Sequence, residues 1–510
     1  MKGAALKPGV SVPSLPLLGR DLTASVVVFL VAMPLCMGIA VASGVPPEKG
    51  LITGIIGGIV VGALAGSPLQ VSGPAAGLAV IVYELVRDQG LSALGPILLL
   101  AGLIQVAAGV LRVGGWFRAI SPAVVHGMLA GIGVLIVVGQ FHVLFDAKPL
   151  PNGLANLEAM PARLLGLSPF SIEAAEMAFG VGLVTIAAML GWERFRPAKL
   201  RLLPGALVGV VAGTLVALVG GLGVVRVVVP ANIASAVAPP DAGLLARMAE
   251  PSIIVAALAI AFIASAETLL SAAAVDKMHD GVRTDYNKEL RAQGIGNFLC
   301  GLAGSLPMTG VIVRSSANVQ AGAATRASTM LHGVWILLFV AMLPFVLREI
   351  PMAALAAVLV VTGWRLVGLT HVRSLFQRHG LLPVAIWAAT LGTVVATDLL
   401  TGVLVGIGLS MLELIPNLRG LRLKVEREAD GAGEAIRLKG AATFVSLPRL
   451  SDALDRVPAD RPVTLDARGL TAVDHTTAEL LRDWFGRRRA AGGAVTLTGG
   501  DAKLKALAAA

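Results

Sequence analysis

The sequence is poor in charged residues, cysteine and aromatics. Only 14% of its 510 residues are charged, whereas a soluble domain has about 25%. The two cysteines, Cys36 and Cys300, lie in separate apolar segments, so we interpret them as packing residues and not as a disulfide or a metal site. Aromatic residues make up 4% of the chain, and no basic helix carries interleaved aromatics. The net charge of +10 therefore does not indicate a nucleic-acid partner.

Apolar residues are abundant instead. They account for 56% of the chain, whose mean hydropathy is +0.83. Runs long enough to cross a lipid bilayer recur from Leu22 to Ile415 and predict a polytopic α-helical membrane protein of about fourteen segments, two of them short. The sequence shows no catalytic triad, metal-ligand cluster or phosphate-binding glycine loop. We therefore expect neither an enzyme nor a bound cofactor or metal.

The distribution of Lys and Arg predicts the orientation. With the N-terminus inside, these residues concentrate in the inward loops and are sparse in the outward loops, in agreement with the positive-inside rule. We expect a multi-pass protein of the cell's inner (plasma) membrane with both termini in the cytoplasm.

The composition divides the chain into three parts. Residues 1–20 form a short cytoplasmic lead, and residues 21–416 form the membrane domain. Residues 417–510 have the composition of a soluble domain, and their patterns follow the order β-α-β-α-β. The predicted strands lie near residues 435–437, 462–466 and 494–498. We expect a small cytoplasmic α/β domain there.

Two segments are too short to cross the bilayer, which needs about 20 apolar residues. Residues 305–322 read SLPMTGVIVRSSANVQAG and residues 67–79 read SPLQVSGPAAGLA, and both begin with proline and glycine. A helix that starts in mid-membrane presents unpaired backbone N–H groups and a positive dipole end, which favour an anion. The two are the third and tenth segments. Because they are an odd number of segments apart, seven, the halves 21–222 and 250–416 have opposite topologies. This pattern predicts an inverted repeat with a binding site between the short helices.

The residues that open these short helices are the first candidates for that site. Glycine lets the backbone approach a ligand closely, and two hydroxyl side chains are available as donors. The predicted anion-binding residues are Ser72, Gly73 and Pro74 at the first start, and Thr309, Gly310 and Val311 at the second.

Arg314 lies inside the second short segment. A cation in the hydrocarbon region is costly and is by default a functional candidate. We expect Arg314 to add positive potential to the anion site, which makes the cargo negative. Two alternatives remain: Arg314 extends to the membrane interface, or it pairs with a carboxylate.

Glu267 lies deep in the eighth segment, and Ser271 shares its helix face at i+4. A buried carboxylate suits a proton carrier, so we predict that Glu267 and Ser271 hold the coupling ion. Glu267 is alternatively a fixed counter-ion for Arg314, a cation ligand together with Ser271, or a structural hydrogen-bonding residue.

Several stretches together resemble the SulP family of inorganic anion transporters, the sulfate permease type. They are MPLCMGIAVASGVPPEKGL from Met33, SPLQVSGPAAG from Ser67, ETLLSAAAVDKM from Glu267, NKELRAQGIGNFLCGLAGSLPMTGVIVRSSANVQAGAATR from Asn287 and TDLLTGVLVGIGLS from Thr397. The resemblance covers nearly the whole chain. It implies a 7+7 inverted-repeat fold with a core and a gate domain, and a homodimer.

The same resemblance extends the site. In that family the anion lies between the starts of the third and tenth helices, with the first and eighth helices beside it. This adds Leu35, Cys36 and Ala75 to the predicted anion-binding residues. Many members have Gln at the position of Leu35.

The coupling ion depends on two further positions. In the pattern of the family's sodium-coupled bicarbonate transporters, Asp stands at the position of Glu267 and Thr at that of Ile312. Because Ile312 has no side-chain oxygen for a cation, H⁺ is the expected coupling ion, and Na⁺ remains an alternative.

The C-terminal stretch RPVTLDARGLTAVDHTTAELL, from Arg461, resembles a STAS domain. In related anti-sigma-factor antagonists a phosphorylated Ser follows an Asp-Ser type of turn. That place falls here on Thr476, after Asp474 and His475, so Thr476 is the candidate phosphorylation site.

The sequence thus predicts secondary active transport of a small inorganic anion, sulfate or bicarbonate, by proton-coupled symport with an elevator-like movement. The rivals are sodium-coupled bicarbonate uptake, an anion channel or exchanger, a nucleobase–proton symporter of the same fold, and a sensor that signals through the STAS domain. A nucleobase site usually offers several carboxylates, and here only Glu267 is available.

Overall fold

The computed structural model describes most of the chain. The described residues are 15–117, 121–166, 172–200, 202–230, 232–276, 278–279, 281–412, 423–430, 433–443, 446–457, 462–490 and 494–499. Most of the predicted lead lies outside them, and the first helix begins at Leu15.

The first half of the membrane domain is mainly helical, because a backbone in lipid must satisfy its own hydrogen bonds. Its elements are α1 (Leu15–Ala42), α2 (Pro47–Ile56), α3 (Gly62–Leu64), β1 (Ser72–Pro74), α4 (Ala76–Gln89), α5 (Leu94–Val110), α6 (Gly114–Phe117), α7 (Pro122–Val143), α8 (Gly153–Leu164), α9 (Ile172–Phe195) and α10 (Gly205–Val219). A π-helical turn, Gly57–Val61, joins α2 to α3.

The second half repeats the pattern of a short strand followed by a short helix. Its elements are α11 (Ala242–Ala246), α12 (Pro251–Asp276), α13 (Tyr286–Ala303), β2 (Met308–Gly310), α14 (Ile312–Gln320), α15 (Ala327–Met342), α16 (Pro344–Leu347), α17 (Met352–Val367), α18 (Leu369–His379), α19 (Leu381–Ala396) and α20 (Leu399–Leu412).

The half-helices α4 and α14 are short and each follows a short strand, whereas other short apolar helices, such as α10 with 15 residues and α20 with 14, follow no described strand. Six stretches among the described residues are long and apolar enough to cross a membrane: Leu17–Ala42, Pro47–Leu64, Leu91–Val110, Pro122–Val143, Ala174–Phe195 and Pro251–Asp276. In contrast, α4 has 14 residues and α14 has 9. At 1.5 Å per residue both are shorter than the hydrocarbon core of about 30 Å. The two predicted half-helices are therefore confirmed.

Strands β1 and β2 join the two halves. They pair antiparallel, with Ser72 opposite Gly310, Gly73 opposite Thr309 and Pro74 opposite Met308. The N–H of Val311 extends the pairing by donating to the carbonyl of Val71 over 2.9 Å. Because each strand leads into a half-helix, the pairing fixes the start of α4 beside the start of α14.

Glycines let α13 pack directly against α5. A Cβ at Gly102 would lie 2.5 Å from the backbone nitrogen of Phe298, and one at Gly294 would lie 2.6 Å from that of Val106. Gly301 meets Leu99 in the same way, at 2.7 Å. Small residues allow membrane helices to approach closely, so α5 holds α13 along its length.

The chain divides into two compact units. The first comprises Met1–Leu111, Gln140–Pro149 and Leu165–Val360, and the second comprises the remaining segments. Elements α1, α4, α12, α13 and α14 lie in the first unit together with β1 and β2. The predicted boundaries at 416/417 and between the repeats remain predictions.

The C-terminal region is an α/β domain. Its described elements are β3 (Lys424–Asp430), β4 (Gly433–Ala442), α21 (Leu447–Asp455), β5 (Val463–Val473), α22 (His475–Ala490) and β6 (Val495–Thr498). The sheet order is β3-β4-β5-β6, with β3 antiparallel to β4 and the other pairs parallel. The predicted β-α-β-α-β order is confirmed, and the highly charged β3 precedes it as an additional edge strand.

Apolar residues from the sheet and both helices form the core of this domain. Ile436, Leu465, Leu481 and Phe485 are buried there. On the sheet, Asp466 accepts hydrogen bonds from the Arg468 guanidinium, which hold the pKa of that carboxyl at about 2. The stabilisation from this ion pair is present above the unfolded pKa of Asp, about 3.9, and is lost as the pH falls toward 2.

Candidate functional site

Both half-helices begin without a side-chain cap. The N-cap residues are Ala75 for α4 and Val311 for α14; both have extended backbones, and neither side chain accepts a hydrogen bond. Polar N-cap side chains normally satisfy part of the free N–H groups in the first turn. Two uncapped starts, placed side by side by β1 and β2, therefore offer backbone donors and two positive dipole ends to a ligand.

Two further helices complete the surroundings. Helix α1 packs against β1, α4 and α14, and helix α12 packs against β2, α4 and α14. On α1, Leu35 and Cys36 are buried. On α12, the Thr268 hydroxyl accepts a hydrogen bond from the N–H of Gly310 over 3.1 Å. The structure thus brings together the four helices on which the candidate residues were predicted.

Arg314 is fully buried in the first turn of α14. Its guanidinium lies directly against Gly73 of β1, where a side chain at position 73 would collide with Nη1. Nη2 makes one long hydrogen bond, 3.5 Å, to the carbonyl of Pro74, and the Cys36 thiol is a neighbour. Nε and Nη1 are buried and find no hydrogen-bond partner among the described residues. An always-charged group with two unused donors is suited to holding an anion.

Neither alternative for Arg314 matches this geometry. A side chain with no exposed surface does not extend to the interface, and no ion pair within the described residues includes it. The positive charge is therefore uncompensated at the start of α14, within reach of the start of α4.

Glu267 lies at the other half-helix. Its carboxylate rests against Gly77 in the first turn of α4, with Oε2 2.6 Å and Oε1 2.7 Å from where a Cβ at Gly77 would be. The side chain is partly exposed, and its buried Oε2 finds no partner among the described residues. Ser271, one turn further along α12, is buried with an equally unpartnered hydroxyl. Two unpartnered oxygens on one helix face are suited to a proton or a small cation.

The two predicted hydroxyl donors have roles in the protein's own hydrogen bonding. Ser72 Oγ accepts a hydrogen bond of 2.6 Å from Gln293 Nε2. Thr309 is fully buried, and its hydroxyl donates weakly to the carbonyl of Gly310 over 3.4 Å. Of the predicted residues, Arg314 and the backbone at the helix starts are therefore the groups with unused hydrogen-bond donors.

Sequence reasoning missed the polar residues that support the site. Gln70 donates from Nε2 to the carbonyl of Thr268 over 2.9 Å, and its side chain packs against Gly310. Helix α13 contributes Gln293 and Asn297, which bond to β1 and β2. The available signal was the spacing of four residues between Glu289, Gln293 and Asn297 on α13.

In the C-terminal domain, the Thr476 hydroxyl is buried and finds no partner among the described residues. Asp474 accepts a hydrogen bond of 2.8 Å from the N–H of Thr477 and so caps α22. The candidate phosphorylation site thus lies in the first turn of a capped helix.

The family model for the sulfate permease family matches residues 18–390, which contain both half-helices. The chain belongs to the sulfate permease family. Residues 425–510 match a STAS domain model, described as Mlab. The family identification and the STAS domain predicted from the sequence are both confirmed.

Three known proteins are similar to this sulfate permease family member over most of its length. A putative sulfate transporter of Bacillus subtilis, YvdB, is 29% identical over 88% of this chain and 84% of its own. The bicarbonate transporter BicA of Picosynechococcus sp. is 24% identical over 82% of this chain and 74% of its own. The structure of SLC26A9 superposes with a TM-score of 0.67 at 15% identity, over 97% of this chain and 86% of that chain. The predicted fold, a 7+7 inverted repeat with two half-helices and a C-terminal STAS domain, is confirmed.

Proposed function

We propose that this sulfate permease family member is a secondary active transporter of a small inorganic anion, sulfate or bicarbonate. The observation that carries the proposal is the buried Arg314, whose two unpartnered donors lie beside two uncapped helix starts. Such a site presents N–H donors and positive charge, and small oxyanions accept from both.

The choice between the two anions follows the relatives. One is named as a putative sulfate transporter and another as a bicarbonate transporter, at similar identities of 29% and 24%. Backbone N–H groups and a guanidinium recognise charge and oxygen acceptors, which both anions supply. We therefore propose sulfate and bicarbonate as the two substrates to be tested.

For coupling, we propose proton symport through Glu267 and Ser271. The carboxylate is partly exposed, lies at the start of α4 and has an oxygen without a partner. Ile312, at the start of α14, has no side-chain oxygen with which to coordinate Na⁺.

The transport step is an elevator-like movement within a homodimer in the inner membrane, with both termini in the cytoplasm. The STAS domain steadies or regulates the dimer, and phosphorylation of Thr476 requires the first turn of α22 to open.

Uptake by the purified protein in liposomes tests the proposal. Labelled sulfate and labelled bicarbonate are offered separately, each with an inward proton gradient, an inward sodium gradient, or neither. We expect concentrative uptake of at least one anion under the proton gradient alone. Uptake of neither anion under any gradient contradicts anion transport, and concentration only under the sodium gradient replaces proton coupling by sodium coupling.

Glu267→Gln is expected to remove proton coupling. The amide keeps the size of the carboxyl but carries no proton between the two sides of the membrane. Accumulation driven by a proton gradient should stop, and the pH dependence of uptake should flatten, while exchange of anion at equal pH persists. The measurement is initial uptake between pH 5.5 and 8 in parallel with the wild-type protein. A variant with unchanged pH dependence and unchanged accumulation would show that Glu267 is not the proton carrier.

A further inference from the structure

Helix α13 carries a buried polar stripe. Glu289, Gln293 and Asn297 are four residues apart, so they share one helix face, and each is fully buried. Polar side chains within a membrane are costly and persist where they have a function. The stripe faces both strands that precede the half-helices.

The first part of the stripe holds the chain before α4. Glu289 accepts hydrogen bonds from the N–H of Ser67, over 2.9 Å, and from Gln293 Nε2, over 3.0 Å. A carboxylate accepts only, so it fixes which end of the Gln293 amide faces it. The same Nε2 has a second hydrogen, which it donates to Ser72 Oγ over 2.6 Å. Glu289 and Gln293 thereby tie both ends of the segment 67–72 to α13.

The second part of the stripe holds the chain before α14. Asn297 accepts from the N–H of Met308 over 2.8 Å and donates to the carbonyl of Met308 over 3.2 Å. Both backbone groups of one strand residue are therefore bound by one side chain. Gln105 of α5 accepts a further hydrogen bond from Asn297 Nδ2, over 2.8 Å, and this orients the amide.

We propose that Gln293 and Asn297 are positioning residues that set the separation of the two half-helix starts and thereby the affinity for the anion. One helix face bonds to both strands, and α5 holds that helix through close glycine contacts. The polar stripe on α13 thus fixes the positions of β1 and β2 relative to each other. Neither residue touches the anion: each acts through the backbone donors at the starts of α4 and α14. This inference rests on the proposed anion transport.

The test replaces each amide by an apolar residue of similar size. Gln293→Met removes the bonds to Ser72 and Glu289, and Asn297→Leu removes those to Met308. We expect each variant to raise the KM for anion uptake by about tenfold or more, with the maximal rate per folded protein within about twofold of wild type. Gln140→Met is the matched control, since Gln140 is buried in α7 and its Oε1 finds no partner among the described residues.

A second measurement does not depend on transport. Backbone hydrogen exchange should rise in residues 67–77 of Gln293→Met and in residues 306–312 of Asn297→Leu, with exchange in α9 and α10 unchanged. If Gln293→Met does not fold, Gln293→Asn replaces it, because its shorter amide cannot reach both Glu289 and Ser72. If KM stays at the wild-type value, or rises equally in Gln140→Met, the positioning role is wrong even though transport is intact. If the wild-type protein transports neither anion, the proposed function fails. A rise in hydrogen exchange confined to the two segments would still support the role of Gln293 and Asn297 in positioning β1 and β2.

Discussion

Arg314→Gln is expected to abolish high-affinity anion uptake. The substitution keeps a polar side chain but removes the charge and the guanidinium donors Nε and Nη1, which find no hydrogen-bond partner among the described residues. Hydrogen bonds to a charged group contribute about 1.5–3 kcal/mol each, so KM should rise by roughly 100-fold, which corresponds to about 3 kcal/mol. The measurement is the concentration dependence of initial uptake of labelled sulfate and bicarbonate, normalised to folded protein.

Arg348→Gln serves as the control for this substitution. Arg348 follows α16, is exposed, and its Nε donates to the carbonyl of Val229 over 2.9 Å. We expect its KM to equal that of the wild-type protein. If Arg314→Gln also retained the wild-type KM, the charge at the start of α14 would have no part in holding the anion.

Gly73→Ala and Gly77→Ala are expected to impair two different properties. A methyl group at position 73 collides with the Arg314 guanidinium, whereas one at position 77 lies 2.6 and 2.7 Å from the two carboxylate oxygens of Glu267. Overpacking of this kind costs about 1–3 kcal/mol, and here the displaced groups are the candidate anion ligand and the candidate proton carrier. Gly73→Ala should raise KM by about tenfold with coupling intact. Gly77→Ala should shift the pH dependence with a smaller change in KM.

Gly180→Ala separates these effects from the general effect of adding a methyl group to a membrane helix. Nothing lies within 4 Å of a Cβ at Gly180 in α9. Alanine is favoured over glycine in a helix by about 0.5–1 kcal/mol, so this variant should keep wild-type uptake and gain slightly in thermal stability. If Gly73→Ala and Gly77→Ala behaved alike, the separation of the anion ligand from the proton carrier would be contradicted.

The fold could be predicted from local properties of the sequence. The half-helices are recognisable as short apolar runs that begin with proline and glycine. Their separation by an odd number of segments predicts the inverted repeat. The C-terminal strands and helices follow from their periodicities, except for β3, whose sequence KVEREAD lacks an apolar face strong enough to mark a strand.

The details of the site depend on contacts that no local pattern contains. The hydroxyl of Ser72 is directed by Gln293, which lies 221 residues away in the sequence. An arginine in a nine-residue helix is compatible with an interface, an ion pair or an anion site, and the sequence does not contain the packing around Arg314 that bears on this choice. The same holds for α13, whose polar stripe is recognisable in the sequence but whose partners are not.

The pairing of β1 with β2 also constrains how the protein is made. Strand β1 has no partner when the first half-helix is made, because β2 does not exist until the first third of the second half (250–416) has been translated. At 5–20 residues per second this interval lasts roughly 10 to 50 s. During that time the groups of β1 that pair with β2 in the folded protein lack these partners. We therefore expect the candidate site to form late, after both half-helices have been made, and chains truncated before β2 to lack it.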